Sequence, residues 1–293
     1  MRQATGRVPG VDRALNFAVH EDNDRHVSER IANEGIWEPF ETELVRRFLT
    51  APISGSLLEE SASSQHIFVD CGANLGWYSV LAGTLGAKVV ACEPLPMNAA
   101  LLRTNVTQND LTALVEIHEL ALGSVEGVGT LRLSIDNQGD HRLVPSGATM
   151  TTEREEVEVP VRTLDEVLNG RIPTVMKIDT QGSEVAILRG GVQGWSRSTI
   201  VLILEFWPYG LERCGASADD LLDLLSTRID VTHRCFEVVE WRQTLVPLSI
   251  GDLASMATEG GYSPAMKGFT NILLVPLDRL DVVATLIEGY YVE

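Results

Sequence analysis

The sequence is poor in cysteine, poor in positive charge, and has no long apolar run. Its 4 cysteines among 293 residues are Cys71, Cys92, Cys214 and Cys235. No two form a C-x-x-C pair, so neither a zinc cluster nor a redox dithiol is expected, and reduced, cytoplasmic chemistry is the simple reading. The first ten residues carry Arg2 and Arg7 but no apolar stretch of signal-peptide kind. The apolar runs are of strand length, far below the ~20 residues that span a bilayer, so no membrane partner is expected. Lys and Arg total 23 against 41 Asp and Glu, a formal charge of −18. That argues against nucleic acid, whose phosphates must be met by a basic surface. Also missing are the Gly-Lys-Ser/Thr of a phosphate loop and the G-x-G-x-x-G of a dinucleotide turn.

What is present is a core-forming chain, 44% hydrophobic, long enough to fold without staples. Ser28 is expected to cap a turn running to Gly35, and Pro39 to start a second helix. That helix has Phe40, Leu44, Val45, Phe48 and Leu49 on one stripe, and Glu41, Glu43, Arg46 and Arg47 on its polar face. Ala51 to Gln65 reads as a Ser-rich linker, giving an N-terminal helical cap over 1–60 and a main domain over 61–293. Short apolar strands then alternate with helices. Ile67–Val69 leads to Asp70, Lys88–Cys92 to Glu93, and Val115–Leu120 follows. After a pause come Val175–Asp179, Ile200–Leu204, Val231–Val239 and Phe269–Val275. This order predicts an α/β fold with a mostly parallel sheet covered on both faces. The pause, about 124–162, alternates apolar residues at Leu131, Leu133 and Ile135 and again at Val157, Val159 and Val161. It reads as an antiparallel insertion after the third strand, with Asp140, His141 and Arg142 in its connecting loop. Thr163 and Glu166 have capping-box spacing, and Ser217 is placed to cap a later helix.

The strongest local signal is Phe68-Val69-Asp70-Cys71-Gly72-Ala73-Asn74-Leu75-Gly76. Such a strand–turn–helix brings backbone close to a ligand. Glu93 ends the next strand roughly 20 residues on, where a carboxylate accepts hydrogen bonds from both hydroxyls of a ribose. An adenosine ligand without phosphate suits a turn lacking the pyrophosphate glycine, and S-adenosyl-L-methionine is such a ligand. Its positive charges suit an acidic chain, and Asp70 is placed to meet its amino end directly or through water.

These residues resemble the FkbM family of S-adenosylmethionine-dependent methyltransferases. The resembling stretches are Val69 to Ser79, Cys92-Glu93-Pro94-Leu95-Pro96 with Asn98, and Asn105. Further along come Thr163-Leu164-Asp165, Lys177 to Glu184, Leu188 to Gly191 and Leu204-Glu205, and at the front Val27-Ser28, Gly35, Trp37-Glu38 and the Phe40 helix. The resemblance implies a Rossmann-like class I methyltransferase fold, a seven-stranded sheet with its last strand antiparallel. It also implies O-methylation of a small-molecule hydroxyl, on a sugar or a glycosylated or polyketide natural product, with S-adenosyl-L-homocysteine as the second product. Cofactor contacts then fall to Asp70, Gly72, Asn74, Gly76, Glu93, Pro94 and Asn98. Gln181 and Cys71 depart from the family's usual residues.

Asp179 and Glu205 end adjacent expected strands, so both should reach the crevice at the carboxyl ends of the sheet. Either they orient or deprotonate the acceptor, or Asp179 caps the next helix and Glu205 fixes a loop. Lys177, inside an apolar strand, must pair with a carboxylate such as Asp179, Glu184 or Glu205. His141 is either the natural proton acceptor near neutrality, with Asp140 or another carboxylate to orient it and Arg142 to grip a polar acceptor, or a surface-loop histidine. His20 and Asp24, with His26, precede the cap helix and are placed to close over the acceptor. Trp207 and Tyr209 either offer an apolar acceptor wall or pack under the cap. With no D-x-D at the fourth strand, no metal is expected. The competing readings are an N-methyltransferase, a nicotinamide-dependent oxidoreductase and a non-catalytic adenosine binder. The apolar cap stripe leaves a homodimer open.

Overall fold

The computed structural model describes residues 1–21, 24, 26–53, 65–134, 141–144, 155–195 and 199–289. Most of the expected linker, the orienting Asp140 and Ile135 lie outside the described residues. The chain opens not on helix but on an antiparallel hairpin, β1 (Arg2–Gly6) and β2 (Leu15–Val19). Helices α1 (Val27–Glu34) and α2 (Pro39–Thr50) follow. The main sheet then begins with β3 (Ile67–Cys71), α3 (Trp77–Thr84), β4 (Lys88–Cys92), α4 (Pro96–Gln108) and β5 (Val115–His118).

A second sheet interrupts the alternation. It holds β6 (Ala121–Leu122), β7 (Gly127–Arg132), β8 (Arg142–Val144) and β9 (Glu156–Arg162) in the order β6-β9-β7-β8. Its apolar side, Leu131, Val159 and Val161, packs on Leu95, two residues past Glu93. The chain returns through α5 (Leu164–Leu168), β10 (Val175–Ile178), α6 (Glu184–Gly190) and α7 (Val192–Trp195) to β11 (Val201–Phe206). It ends with α8 (Pro208–Arg213), α9 (Ala218–Ser226), β12 (His233–Val239), β13 (Thr244–Leu248), α10 (Ile250–Thr258) and β14 (Thr270–Pro276).

The main sheet has eight strands in the order β13-β12-β14-β11-β10-β3-β4-β5. The segment β5-β4-β3-β10-β11 is parallel throughout, and the last strand β14 runs antiparallel to β11 as expected. The eighth strand, β13, was not legible because Pro247 argues against a strand interior. An edge strand tolerates it, since the missing N–H faces no partner.

Side chains alternate between two cores. Val69, Met176 and Leu202 face one layer, while Phe68, Val175 and Ile203 face the layer shared with the cap. Asp70, Lys177 and Glu205 share the parity of the second set, so all three point to the cap side.

The hairpin went unread because its partners are side chains distant in sequence. Asn105 Oδ1 accepts from Ala18 N at 2.6 Å while its amide donates to Ala18 O at 3.0 Å and Leu75 O at 2.7 Å. Asn109 does the same at Asn16, at 2.9 and 2.7 Å. Two asparagines one helical turn apart thus satisfy alternate residues of β2 as a neighbouring strand would. Phe17 stacks on Trp77 at 5.0 Å between ring centres. The capping boxes at Thr163 and Ser217 form as expected. Ser28 is not a cap: it lies inside α1, and its hydroxyl accepts from His20 N at 3.1 Å.

The turn after β3 leaves both its glycines in left-handed backbone, φ 86° at Gly72 and 91° at Gly76. A Cβ at Gly72 would lie 2.1 Å from the Asp179 carbonyl oxygen, and one at Gly76 2.3 Å from Leu102 Cδ1. A side-chain methyl can rotate away, whereas a strand-end carbonyl cannot. Gly72→Ala is therefore expected to lose at least about 3 kcal/mol and Gly76→Ala about 1–2 kcal/mol, read from urea unfolding midpoints. Equal losses would contradict this account of the turn.

Candidate active site

A cavity of about 410 Å³ opens at the carboxyl ends of β3, β4, β10 and β11, within the ~300–1,000 Å³ usual for small-molecule sites. The cap and the second sheet supply its outer walls. At the β3 and β4 strand ends it is lined by Gly72, Asn74, Glu93, Pro94 and Asn98. At the β10 and β11 strand ends it is lined by Lys177, Asp179, Glu205 and Trp207, with His141 and Arg142 coming from the second sheet.

At the first end Glu93 is built into the turn. Its Oε2 accepts from Asn74 N at 2.8 Å, and Oε1 from Leu95 N at 3.0 Å and Asn98 Nδ2 at 3.5 Å. Burial pushes its carboxyl up to about 7, although these donors pull the other way. Each carboxylate oxygen keeps acceptor capacity beyond these bonds, so Glu93 still fits a ribose diol. The Asn74 Oδ1 atom is buried without a hydrogen-bond partner among the described residues, a second polar group suited to a ligand.

Asp70 and Gly76 do not line the cavity and are corrected as direct ligands. Asp70 is 2% exposed and accepts from Ser79 Oγ at 2.6 Å, burial pushing it up to about 6. It ties β3 to α3, and Gly76 lets α3 approach α4.

The other end is organised by Lys177, 3% exposed. Its Nζ lies 2.8 Å from Glu41 Oε1, 2.9 Å from Asp179 Oδ2 and 4.0 Å from Glu38 Oε2, and 4.9 Å from the Tyr78 ring centre. Burial alone would lower its basicity, but Asp179, Glu41 and Glu38 together hold the ammonium well above its usual range. Lys177 is therefore a fixed cation, not a proton acceptor. Of its expected partners only Asp179 is in contact. Glu184 instead staples the β10–α6 loop, accepting from Thr180 N, Thr180 Oγ and Gly182 N at 2.9–3.1 Å.

Asp179 retains 27% exposure toward the cavity. Burial would raise it, yet Lys177 and the Gln181 amide hold it below the usual carboxylate range. Gln181 Nε2 donates both to Asp179 Oδ1 at 2.9 Å and to Glu205 Oε1 at 3.0 Å. Glu205, desolvated and facing Asp179 and Glu184, is pushed well above the normal range. Glu38 and Glu41 were missed as site residues. Glu41 had been placed on the polar face of α2 but is 1% exposed, because that face meets Lys177 and Asn271 rather than water. A lysine in an apolar strand signalled that acidic partners existed, but not where in the chain they lay.

His141 Nδ1 accepts from Ser134 N at 3.0 Å. In the neutral ring the proton then sits on Nε2, which can donate but not accept. Burial and the neighbouring His20 lower this imidazole to about 4. In this geometry Nδ1 is occupied by the Ser134 amide. Arg142 lies over the Trp207 ring, 4.5 Å from its centre, and 5.9 Å from that of Tyr209. Tyr209 does not line the cavity but packs on Trp207, ring centres 5.7 Å apart.

His20 and Asp24 are corrected as acceptor contacts. His20 Nε2 donates to Asn98 Oδ1 at 2.8 Å. Asp24 caps α1, accepting from Val27 N at 3.2 Å and Ser28 N at 2.9 Å. Among the described residues no helix is long and apolar enough to cross a membrane, and no group of three or more His, Cys, Asp or Glu is arranged to hold a metal ion.

The sequence model described as Methyltransferase FkbM domain matches residues 70–245. Methyltransferase sdnD of Sordaria araneosa is 27% identical over 181 residues, covering 50% of this chain and 69% of that protein. Among solved structures, methyltransferase FkbM from Methylobacillus flagellatus KT is 19% identical with a TM-score of 0.43, over 72% of this chain and 43% of that one. The present chain thus spans less than half of that protein. Precorrin-6y C5,15-methyltransferase from Geobacter metallireducens GS-15 is 12% identical with a TM-score of 0.41, over 88% and 93% of the two chains.

Removing one partner of a buried ion pair strands the other charge, at a cost of about 3–5 kcal/mol. Lys177→Met is expected to lose that much in urea unfolding, and adding Glu41→Gln to recover part of it. A loss under about 1 kcal/mol would show that the ammonium is not the anchor of the cap.

Proposed function

The chain belongs to the methyltransferase FkbM domain family of enzymes, and on that premise we propose that it methylates a hydroxyl group of a small molecule with S-adenosyl-L-methionine as donor. A sugar, or a glycosylated or polyketide natural product, is the acceptor class that suits the cavity best. The observation that carries the reading is the joining of Glu93 to the glycine turn through Asn74 N at 2.8 Å, with Asp179 lining the same cavity.

When bound, the cofactor supplies an electrophilic methyl group on a sulfonium. The tasks left to the chain are to hold adenosine, aim the acceptor oxygen, accept its proton and exclude water. Glu93 and Asn98 are assigned to the ribose end, with the Asn74 side chain beside them. Asp179, kept ionised by Lys177, supplies a fixed acceptor oxygen for orienting the hydroxyl. His141 and Arg142 line the acceptor's wall and Trp207 offers its ring face, an arrangement suited to a polyhydroxylated ring. Loss of most of the cavity-lining cap would admit water, so the cap belongs to the catalytic unit.

Calorimetry with S-adenosylhomocysteine tests the cofactor assignment. Glu93→Ala is expected to weaken binding at least tenfold, about 1.4 kcal/mol, and no affinity of the unaltered protein for either adenosyl compound would overturn the proposal. Release of S-adenosylhomocysteine over a panel of sugars and polyketide alcohols tests the acceptor end. Asp179→Asn is expected to lower turnover by 10²-fold or more, and His141→Ala by less than tenfold with cofactor affinity unchanged. A collapse of turnover in His141→Ala would restore histidine as the base.

A further inference from the structure

Carboxyl groups outnumber cations at the inner end of the cavity, and their contacts divide them into two kinds. Lys177 sits within 2.9 Å of Glu41 and Asp179, on the cap and the β10–α6 loop. Glu38 is only within 4.0 Å of that ammonium and accepts from Tyr78 OH at 2.8 Å. Glu205, at the end of β11, has no ion pair among the described residues. Its Oε1 accepts from Gln181, while Oε2 is buried without a hydrogen-bond partner among the described residues.

Glu205 is 4% exposed and forms part of the cavity wall. The groups facing it are Asp179, Glu184 and Lys177, with Asn271 its partner on β14 and Trp207, His141 and Arg142 lining the same cavity. A desolvated carboxyl facing other carboxyl groups is shifted toward its protonated form. Glu38 behaves in the same direction, pushed up to about 8 by burial and Glu41.

S-adenosylmethionine and its product differ by one methyl group and one positive charge. We propose that Glu205 discriminates the sulfonium cofactor from its neutral thioether product by charge, ionising only when the sulfonium shares the cavity, and that the carboxylate so formed receives the acceptor's proton. This rests on the cofactor reading above. Glu205 gives a proton to solvent as the cofactor enters. During transfer the C–S bond breaks, the C–O bond forms, and the hydroxyl proton passes to Glu205. Carboxylate plus sulfonium becomes carboxylic acid plus thioether, so the buried site keeps the same net charge before and after. The thioether then faces a neutral acid with no attraction to hold it.

The sign follows from proton linkage. A ligand that expels a proton binds more tightly as pH rises, up to tenfold per pH unit for each proton released. Titration calorimetry of the full chain, in two buffers of different ionisation enthalpy at pH 6.5 and 7.5, reads this without any acceptor. S-adenosylmethionine is expected to release up to about one proton more than S-adenosylhomocysteine, and the ratio of the two affinities to widen in its favour at the higher pH. Glu205→Gln, close in shape, is expected to abolish the excess release while retaining product binding. Glu38→Gln is expected to leave the excess in place.

Equal release by the two ligands in the unaltered protein would overturn the proposal, and that measurement needs no variant to fold. Excess release that survives Glu205→Gln, or disappears only with Glu38→Gln, would overturn the assignment to Glu205. Failure of both ligands to bind would instead remove the cofactor reading, and this inference with it.

Discussion

The architecture turns on one ammonium in an apolar strand. Met176 and Ile178 point into the core on one side of the sheet, so strand alternation sends Lys177 to the other side, beneath the cap. There it is nearly excluded from water, and only opposite charge makes that tenable. Asp179 comes from the same strand end, but Glu41 and Glu38 come from the cap. Buried ion pairs contribute little net stability compared with apolar packing. Their value here is positional: the cap must meet the sheet where its carboxylates find Lys177, and that placement makes Trp37 and Glu38 part of the cavity wall.

The two ends of the cavity are held by different physics. The end formed by the β3 turn and Glu93, proposed above to hold the cofactor's ribose, is a matter of backbone. Gly72 sits so close to the Asp179 carbonyl that no side chain fits between them, and its N–H and that of Ala73 both donate to Cys92 O at 3.0 Å. Glu93 then locks onto the turn through Asn74 N. Small displacements are costly there because each bond shares a strand end with the next. The end proposed for the acceptor is a matter of charge and aromatic surface, drawn from the cap, the second sheet and the β11–α8 segment. Gln181 links its two halves with a single amide bound to both Asp179 and Glu205.

Legibility in the sequence follows the range of the interactions. The β3 turn, Glu93 and the order of strands were readable because glycines, strand-end acids and apolar runs lie within a few residues of one another. So were the capping boxes at Thr163 and Ser217, whose partners stand three residues apart. The hairpin was not, because β2 is completed by Asn105 and Asn109. Nor was the role of Glu41, since a glutamate on a helix face is ordinarily solvated and only the fold brings Lys177 to it. His141 shows a third kind of failure. Its residue type suggested a base, but the Ser134 amide decides which ring nitrogen carries the proton, and no spacing rule encodes that bond.

The division of labour bears on how such a site changes its acceptor without losing its cofactor. Glu93 and the turn belong to the sheet, and their geometry is constrained by strand register and by glycine contacts on both sides. The wall proposed for the acceptor hangs on pieces that follow the sheet or stand outside it. Arg142 stands on β8, an edge strand of the second sheet, and reaches the site by lying across Trp207. Trp207 in turn donates its indole N–H to Lys267 O at 3.1 Å, in the segment before β14. Substitution at Arg142 or Phe269 would therefore reshape the aromatic mouth while leaving untouched the bonds that hold Glu93 and Asp179. The carboxyl cluster lies between these regions and serves both, because a charge balance depends on the number of groups around Lys177 rather than on the outline of the acceptor. A cavity arranged this way keeps its chemistry fixed at the strand ends and leaves recognition to the added segments.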